Sequence, residues 1–181
     1  MKSGRHNALV FGYPAMSEEL ETLSREVGEV LRRHGLMLVT AESCTGGWVA
    51  QTVTAVAGSS RWFERGFVTY TNIAKQEMLG VRAETLADHG AVSEQTVREM
   101  AEGALKRSHA QVGLAISGIA GPGGAVPGKP VGTVCFAWAR EGAPVRSRTE
   151  HFTGDRAAVR RQAVITALRG VVAILDQSDS G

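Results

Sequence analysis

The chain has 181 residues, the length of one domain with a full hydrophobic core, and it is 43% hydrophobic and 21% charged. No apolar run approaches the ~18 residues of a membrane span, and a formal net charge of +2 without a run of Lys and Arg excludes the electrostatic footprint of a nucleic-acid binder. This near-neutral charge favours a small-molecule partner. Two cysteines, Cys44 and Cys135, are too few for a disulfide framework or a cysteine zinc site, which indicates a reducing cytoplasm.

Helical and strand patterns alternate along the first two thirds of the chain. Residues 1–16 are predicted to be a flexible tail, because their apolar patch is too short for the core of a signal peptide. The predicted elements that follow are a helix over 17–35, a strand over 36–39, a helix over 48–56, a strand over 65–70, a helix over 72–80 capped by Asn72, a helical turn over 84–89, a helix capped by Ser93, and a strand over 112–116.

The last third of the chain predicts a hairpin and a closing helix. Strands are predicted over 131–139 and 145–152, a helix begins after 153–156, and residues 177–181 form a polar tail. Alternation of this kind predicts three parallel strands covered by helices on both faces. We therefore expect residues 17–176 to form a single α/β domain, a three-layer α/β/α sandwich with a mixed, mostly parallel sheet.

The turn at residues 40–47, with the sequence TAESCTGG, follows an apolar strand and precedes a helix. Loops at the carboxyl ends of parallel strands meet helix N-termini, whose free N–H groups bind anions or a developing oxyanion. Ser43 stands where a nucleophile would. The alternative is an ordinary strand-to-helix turn in which Ser43 or Thr45 is the N-cap and Gly46 and Gly47 give the backbone its freedom.

Lys75 is one of only four lysines, and with Tyr70 it follows the second predicted strand. The sheet would bring both residues to the edge that carries Ser43. A desolvated lysine can activate a serine, and a tyrosine hydroxyl beside it can pass a proton to a leaving nitrogen. The alternatives are a surface lysine and a tyrosine packed at a strand end.

Several other signals are weaker. Residues 123–129 resemble the front of a phosphate-binding loop, but Pro130 replaces the hydroxyl that would hold magnesium. Cys44 has no neighbouring histidine and is interpreted as a small buried thiol. Arg156, at a helix start, is a candidate for gripping a phosphate, whereas we expect Arg160, Arg161 and Arg169 to form a solvated helix face.

Six stretches together resemble the CinA C-terminal domain family, the nicotinamide-nucleotide amidohydrolases. They are residues 40–47 (TAESCTGG), 58–75 (GSSRWFERGFVTYTNIAK), 90–93 (GAVS), 117–122 (SGIAGP), 129–133 (KPVGT) and 153–162 (TGDRAAVRRQ). They occur in the family's order and cover the chain from about Ser17 to Leu175. Many relatives carry an additional N-terminal domain, and this sequence is too short to contain one.

The resemblance implies deamidation of nicotinamide mononucleotide to nicotinic acid mononucleotide and ammonia, in pyridine-nucleotide salvage, without metal or other cofactor. It implies Ser43 as nucleophile, Lys75 as base and Tyr70 as helper in proton transfer. It also implies a cytoplasmic homo-oligomer, a dimer or higher. The residues expected to contact substrate are Thr45, Gly46, Gly47, Ser117, Gly118 and Arg156. The alternative is a non-catalytic nucleotide-binding or regulatory module linked to competence or DNA damage.

Overall fold

The structure is a computed structural model that describes residues 17–176, which form six α-helices and one five-stranded sheet. The two tails predicted for residues 1–16 and 177–181 lie outside the described residues. In chain order the elements are α1 (Glu18–His34), β1 (Leu38–Glu42), α2 (Trp48–Thr54), a short 3-10 turn (Ser59–Arg61), β2 (Phe63–Val68), α3 (Asn72–Leu79), α4 (Ala83–His89), α5 (Glu94–Lys106), β3 (Val112–Gly118), β4 (Thr133–Arg140), β5 (Arg146–His151) and α6 (Arg156–Asp176).

The sheet has the strand order β2-β1-β3-β4-β5. Strand β1 pairs in parallel with both β2 and β3, while β4 runs antiparallel to β3 and to β5. The prediction of three parallel strands followed by a hairpin is therefore confirmed. The strand directions follow from the connections, since helical crossovers link the parallel strands and a short turn links β4 to β5.

Helices cover both faces of the sheet. One buried cluster combines the apolar residues of α1, α2 and α6 with alternate residues of the strands, such as Leu38, Leu114 and Phe136. A second cluster joins α3, α4 and α5 to the intervening strand residues, such as Val39 and Ala115. The three-layer arrangement is confirmed, and the period-2 alternation of the central strands feeds both cores.

Some predicted boundaries are wrong by a few residues. Strand β1 begins at Leu38 and continues to Glu42, so the first three of the eight residues predicted as a turn at 40–47 belong to the strand. Strand β2 ends at Val68, which leaves Tyr70 beyond it. The N-cap of α3 is Thr71, whose hydroxyl accepts a hydrogen bond from the N–H of Ala74 at 3.2 Å, and Asn72 is the first helical residue.

The parallel strands deliver their carboxyl ends to one edge of the sheet. Glu42 at the end of β1 pairs with Val68 of β2 on one side and with Ile116 of β3 on the other. The segments that leave these three strands therefore begin within two strand spacings, about 10 Å, of each other. Any site built from them is supported by the two buried strands β1 and β3.

None of the helices within residues 17–176 has the length and apolarity needed to cross a membrane.

Helix α6 packs closely on β4 at Gly170. The indole N–H of Trp138 donates to the carbonyl of Ala167 at 2.9 Å, and a Cβ atom added to Gly170 would overlap the indole ring. Because Trp138 is 5% exposed and stacked on Phe136, its ring has little room to move. Gly170 is therefore a packing position, although glycine is a poor helix former.

We predict that Gly170→Ala destabilises the domain by about 1–3 kcal/mol, because overpacking outweighs the gain of about 1 kcal/mol in helix propensity. Urea unfolding monitored by circular dichroism measures the change. Ala173→Gly, at an exposed position of the same helix, is the matched control and should cost about 1 kcal/mol through propensity alone. A Gly170→Ala variant more stable than the parent would contradict the packing role.

Candidate active site

The structure brings Ser43 and Lys75 into direct contact. Lys75 Nζ lies 3.0 Å from Ser43 Oγ, although 32 residues separate the two. Ser43 follows the last residue of β1, and its N–H donates to the carbonyl of Ile116 on β3 at 3.0 Å. Lys75 lies in the first turn and a half of α3, which begins just beyond β2. The meeting of these two side chains at one sheet edge is what the predicted parallel strands led us to expect.

Lys75 is buried although it carries an amine. Its side chain is among the largest fully buried ones, with the residue 1% exposed. Burial lowers the pKa of the Lys75 ammonium below its ordinary value of 10.5, since the charged form loses its hydration. Besides Ser43, Nζ contacts the carbonyl oxygens of Thr69 at 2.8 Å and Tyr70 at 3.4 Å. Such an amine is suited to taking a proton from the neighbouring hydroxyl.

Glu42 is a buried carboxylate that the sequence prediction missed. One of its oxygens accepts hydrogen bonds from the hydroxyl of Thr45 at 2.7 Å and from the N–H groups of Gly47 and Val49 at 3.0 Å each. The other oxygen accepts from the N–H of Ala50 at 2.8 Å. The Glu42 carboxylate thus accepts the free N–H groups at the start of α2 and holds the turn that carries Ser43 in place. The sequence did offer one indication of this role, a single carboxylate at the end of an apolar strand. A carboxylate buried there needs hydrogen-bond donors.

This capping changes the interpretation of the glycine turn. The sequence suggested that N–H groups at Thr45, Gly46 and Gly47 could hold an oxyanion or a phosphate. In the structure the N–H of Gly47 donates to Glu42, and the N–H of Gly46 donates to the carbonyl of Ser43 at 3.0 Å. These two N–H groups are engaged within the turn, and contact of Gly46 or Gly47 with substrate stays a prediction.

Tyr70 lies near the site, but its hydroxyl has a different partner from the one predicted. The side chain is 58% exposed, and its hydroxyl accepts a hydrogen bond from Arg156 Nη2 at 2.9 Å. Arg156 also donates through Nη1 to the carbonyl of Gly121 at 2.8 Å. The structure therefore pairs Tyr70 with Arg156 at the rim, and only the main-chain carbonyl of Tyr70 reaches Lys75. The role of the hydroxyl in proton transfer stays a prediction.

Ser117 and Gly118 end β3 beside Ser43. Ser117 is 1% exposed and follows Ile116, the residue that pairs with Glu42. A Cβ atom added to Gly118 would lie 2.7 Å from Val134 Cγ2 and 3.1 Å from Cys44 Sγ. Gly118 is thus needed for the close approach of β3 to its neighbours. Contact of either residue with substrate stays a prediction.

Two further sequence expectations have clear outcomes. Cys44 is a buried free thiol, and burial raises the pKa of the Cys44 thiol to about 12, which removes it as a rival nucleophile.

The arginines of helix α6 have different surroundings. Arg161 and Arg169 lie on the exposed helix face as predicted, where both pair with Glu19. The expectation for Arg160 is wrong. It is half-buried and donates to the carbonyls of Cys44 and Thr45, because it lies four residues after Arg156 on the same face of α6.

Cavity size does not by itself locate this site. A cavity of about 730 Å³ lies between the start of α5, the β4–β5 hairpin and Lys129, and neither Ser43 nor Lys75 lines it. Within residues 17–176, no group of three or more His, Cys, Asp or Glu side chains is placed to hold a metal ion. The chemistry of the Ser43 and Lys75 pair is therefore what marks the site.

Comparison with known proteins is consistent with this geometry. The family model described as the CinA C-terminal domain matches residues 20–175. The chain is 60% identical over 151 residues to nicotinamide-nucleotide amidohydrolase PncC of Escherichia coli (strain K12), covering 83% of this chain and 92% of that protein. It is 52% identical over 155 residues to the protein of the same name from Enterobacter agglomerans, covering 85% and 94% of the two chains.

Among solved structures, the chain is similar to the competence/damage inducible protein CihA from Agrobacterium tumefaciens. The TM-score is 0.86 at 45% identity, and the match covers 91% of this chain and 99% of that one.

We predict that Glu42→Gln destabilises the domain by about 1–3 kcal/mol, because the glutamine amide cannot accept hydrogen bonds at both positions and leaves a buried N–H without an acceptor. Urea unfolding measures the loss. Glu29→Gln, an exposed change on α1, is the control and should stay within about 0.5 kcal/mol of the parent. An unchanged unfolding midpoint for Glu42→Gln would refute the capping role.

Proposed function

The chain belongs to the CinA C-terminal domain family, and from this premise we propose that it is a nicotinamide-nucleotide amidase. It would hydrolyse the carboxamide of nicotinamide mononucleotide to nicotinic acid mononucleotide and ammonia. The observation that carries the proposal is the 3.0 Å contact between Lys75 Nζ and Ser43 Oγ at the edge of the parallel strands. A buried hydroxyl beside a buried amine is one of the arrangements that activate a serine for attack on an amide.

The hydrogen-bond partners of Lys75 accommodate the base form of its amine. A neutral amine has two N–H bonds and one lone pair. The carbonyls of Thr69 and Tyr70 can accept the two N–H bonds, which leaves the lone pair directed at the hydroxyl of Ser43. Burial supplies the second condition, because it lowers the cost of losing the proton.

The first half of the reaction forms an acyl-enzyme. Ser43 Oγ attacks the carboxamide carbon while its proton moves to Lys75 Nζ, and the carbonyl oxygen becomes an oxyanion. The quaternary pyridinium of the substrate withdraws electrons from the carboxamide and makes that carbon easier to attack. Lys75 then returns the proton to the amide nitrogen, the carbon–nitrogen bond breaks, and ammonia leaves.

The second half releases the acid. A water molecule gives a proton to the neutral amine of Lys75 and attacks the ester carbon, the bond to Ser43 Oγ breaks, and the proton returns to that oxygen. The product is nicotinic acid mononucleotide, and Ser43 and Lys75 are back in their starting forms. Lys75 thus serves as base and acid in each half.

The remaining predicted site residues would contact the substrate around this pair. Arg156 and Tyr70 stand at the rim, where a guanidinium suits a phosphate. Thr45, Gly46, Gly47, Ser117 and Gly118 lie in the segments beside Ser43. Membership of pyridine-nucleotide salvage, a cytoplasmic location and a homo-oligomeric assembly remain predictions that rest on the resemblance.

We predict that Ser43→Ala and Lys75→Met each lower ammonia release from nicotinamide mononucleotide by about 10³-fold or more, because nucleophile and base act as one unit. Lys75→Met should still fold, since it replaces a buried amine by an apolar chain of similar length. A coupled ammonia assay measures the rate, and circular dichroism checks the fold.

The matched controls are Ser60→Ala and Lys106→Met, which change exposed residues of the same types and should keep parental rates. Full activity of either site variant would refute the mechanism. Tight binding of pyridine nucleotides by a parent chain that releases no ammonia would instead favour a non-catalytic binding module.

The pH dependence gives an independent prediction. The active form of Lys75 is the deprotonated amine, so kcat/KM should rise as pH increases through the lowered pKa of this group. The acid limb should therefore have its midpoint below the ordinary lysine value of 10.5. Rates measured over a pH series at constant ionic strength give that midpoint. A rate that falls as pH rises through this limb would contradict a lysine base.

A further inference from the structure

Arg160 joins helix α6 to the turn that carries Ser43. Its Nε donates to the carbonyl of Cys44 at 3.0 Å and its Nη2 donates to the carbonyl of Thr45 at 2.9 Å, across more than a hundred residues of chain. The guanidinium also lies over the ring of Trp48, 5.4 Å from its centroid. We propose that Arg160 is a positioning residue, which orients the peptide N–H of Thr45 toward the oxyanion of the reaction.

The orientation follows from peptide geometry. The peptide bond between Cys44 and Thr45 is trans, so its C=O and N–H groups point in opposite directions. Because Arg160 holds the carbonyl of Cys44 toward α6, the N–H of Thr45 is directed away from α6. The same reasoning holds one residue later, where Arg160 holds the carbonyl of Thr45 and the N–H of Gly46 donates to Ser43.

The N–H of Thr45 is a donor that the turn leaves available. The hydrogen bonds within residues 17–176 engage the N–H groups of Gly46 and Gly47, and none of them uses the N–H of Thr45. Thr45 is nevertheless fully buried, with 0% of its surface exposed. Buried N–H groups rarely lack an acceptor in folded proteins, and a ligand oxygen is one way to supply it.

The charge of Arg160 acts in the same direction. A guanidinium that donates to two consecutive carbonyls polarises both peptide groups, which strengthens their N–H groups as donors. Such an interaction is stronger at a buried residue than in water, and Thr45 is buried. The inference rests on the proposed function in one respect, since the oxyanion is the one that forms when Ser43 attacks.

The contact with two adjacent carbonyls requires the planar guanidinium group of arginine. Two donors in fixed geometry reach two adjacent carbonyls, while the flat face packs on Trp48. A lysine at this position would present a single charged point and could hold one carbonyl well. Arg160→Lys therefore keeps the charge and tests the geometry.

The test compares Arg160→Lys and Arg160→Gln with Arg161→Gln, the adjacent arginine of the same helix, whose partner is Glu19. We expect both Arg160 variants to lower kcat for ammonia release by about 10- to 100-fold with KM within about threefold of the parent, and lysine to lose less. Arg161→Gln should keep the parental kcat. Melting temperatures identify any variant that fails to fold. If Arg160→Gln fails to fold, Arg160→Lys alone provides the test.

A fluorophosphonate probe separates this inference from the proposed function. Ser43 Oγ bonds to its phosphorus and expels fluoride, Lys75 takes the proton, and the phosphoryl oxygen occupies the position of the oxyanion. Both Arg160 variants should be labelled at least about 10-fold more slowly than the parent, even if nicotinamide mononucleotide is not the substrate. Parental labelling by a folded Arg160 variant would overturn the inference, and so would an equal loss in Arg161→Gln.

Discussion

The site depends on the burial of one amine beside one hydroxyl. Lys75 is held in the interior next to Ser43, and its hydration is replaced by a hydroxyl and two carbonyl oxygens. Burial disfavours the ammonium, so the same contact that places the base also prepares it to accept a proton. The parallel sheet makes this possible, because it brings the segments after β1 and β2 to one buried edge. The fold therefore creates both the position and the chemistry of the pair.

The turn that carries Ser43 is held from two sides by opposite charges. The carboxylate of Glu42 accepts the N–H groups at the start of α2, and the guanidinium of Arg160 binds the carbonyls of Cys44 and Thr45. Several peptide groups of the turn are thereby oriented by an ionic side chain, and main-chain hydrogen bonds hold others. Rigid support of this kind is what holds a nucleophile and an oxyanion donor in working geometry without reorganisation.

Periodicity and turn chemistry were sufficient to predict the sheet, its hairpin and the meeting of Ser43 with Lys75. They failed where long side chains decide the outcome. Glu42 looked like part of a polar turn, yet it ends the strand and caps the next helix. Arg160 looked solvated, because its acceptors are main-chain carbonyls far away in sequence. Tyr70 lies at the predicted edge of the sheet, but its hydroxyl is bound by Arg156. Such contacts depend on tertiary packing, which no local pattern encodes.

The most direct measurement is an NMR titration of the side-chain nitrogens of lysine in protein labelled with ¹⁵N-lysine. The chain has only four lysines, so Lys75→Met assigns the signal of interest. If burial prepares Lys75 as a base, one signal titrates clearly below the ordinary value of 10.5, and that signal is missing from Lys75→Met. If all four lysines titrate together near that value, Lys75 is an ordinary ammonium and cannot activate Ser43 as described.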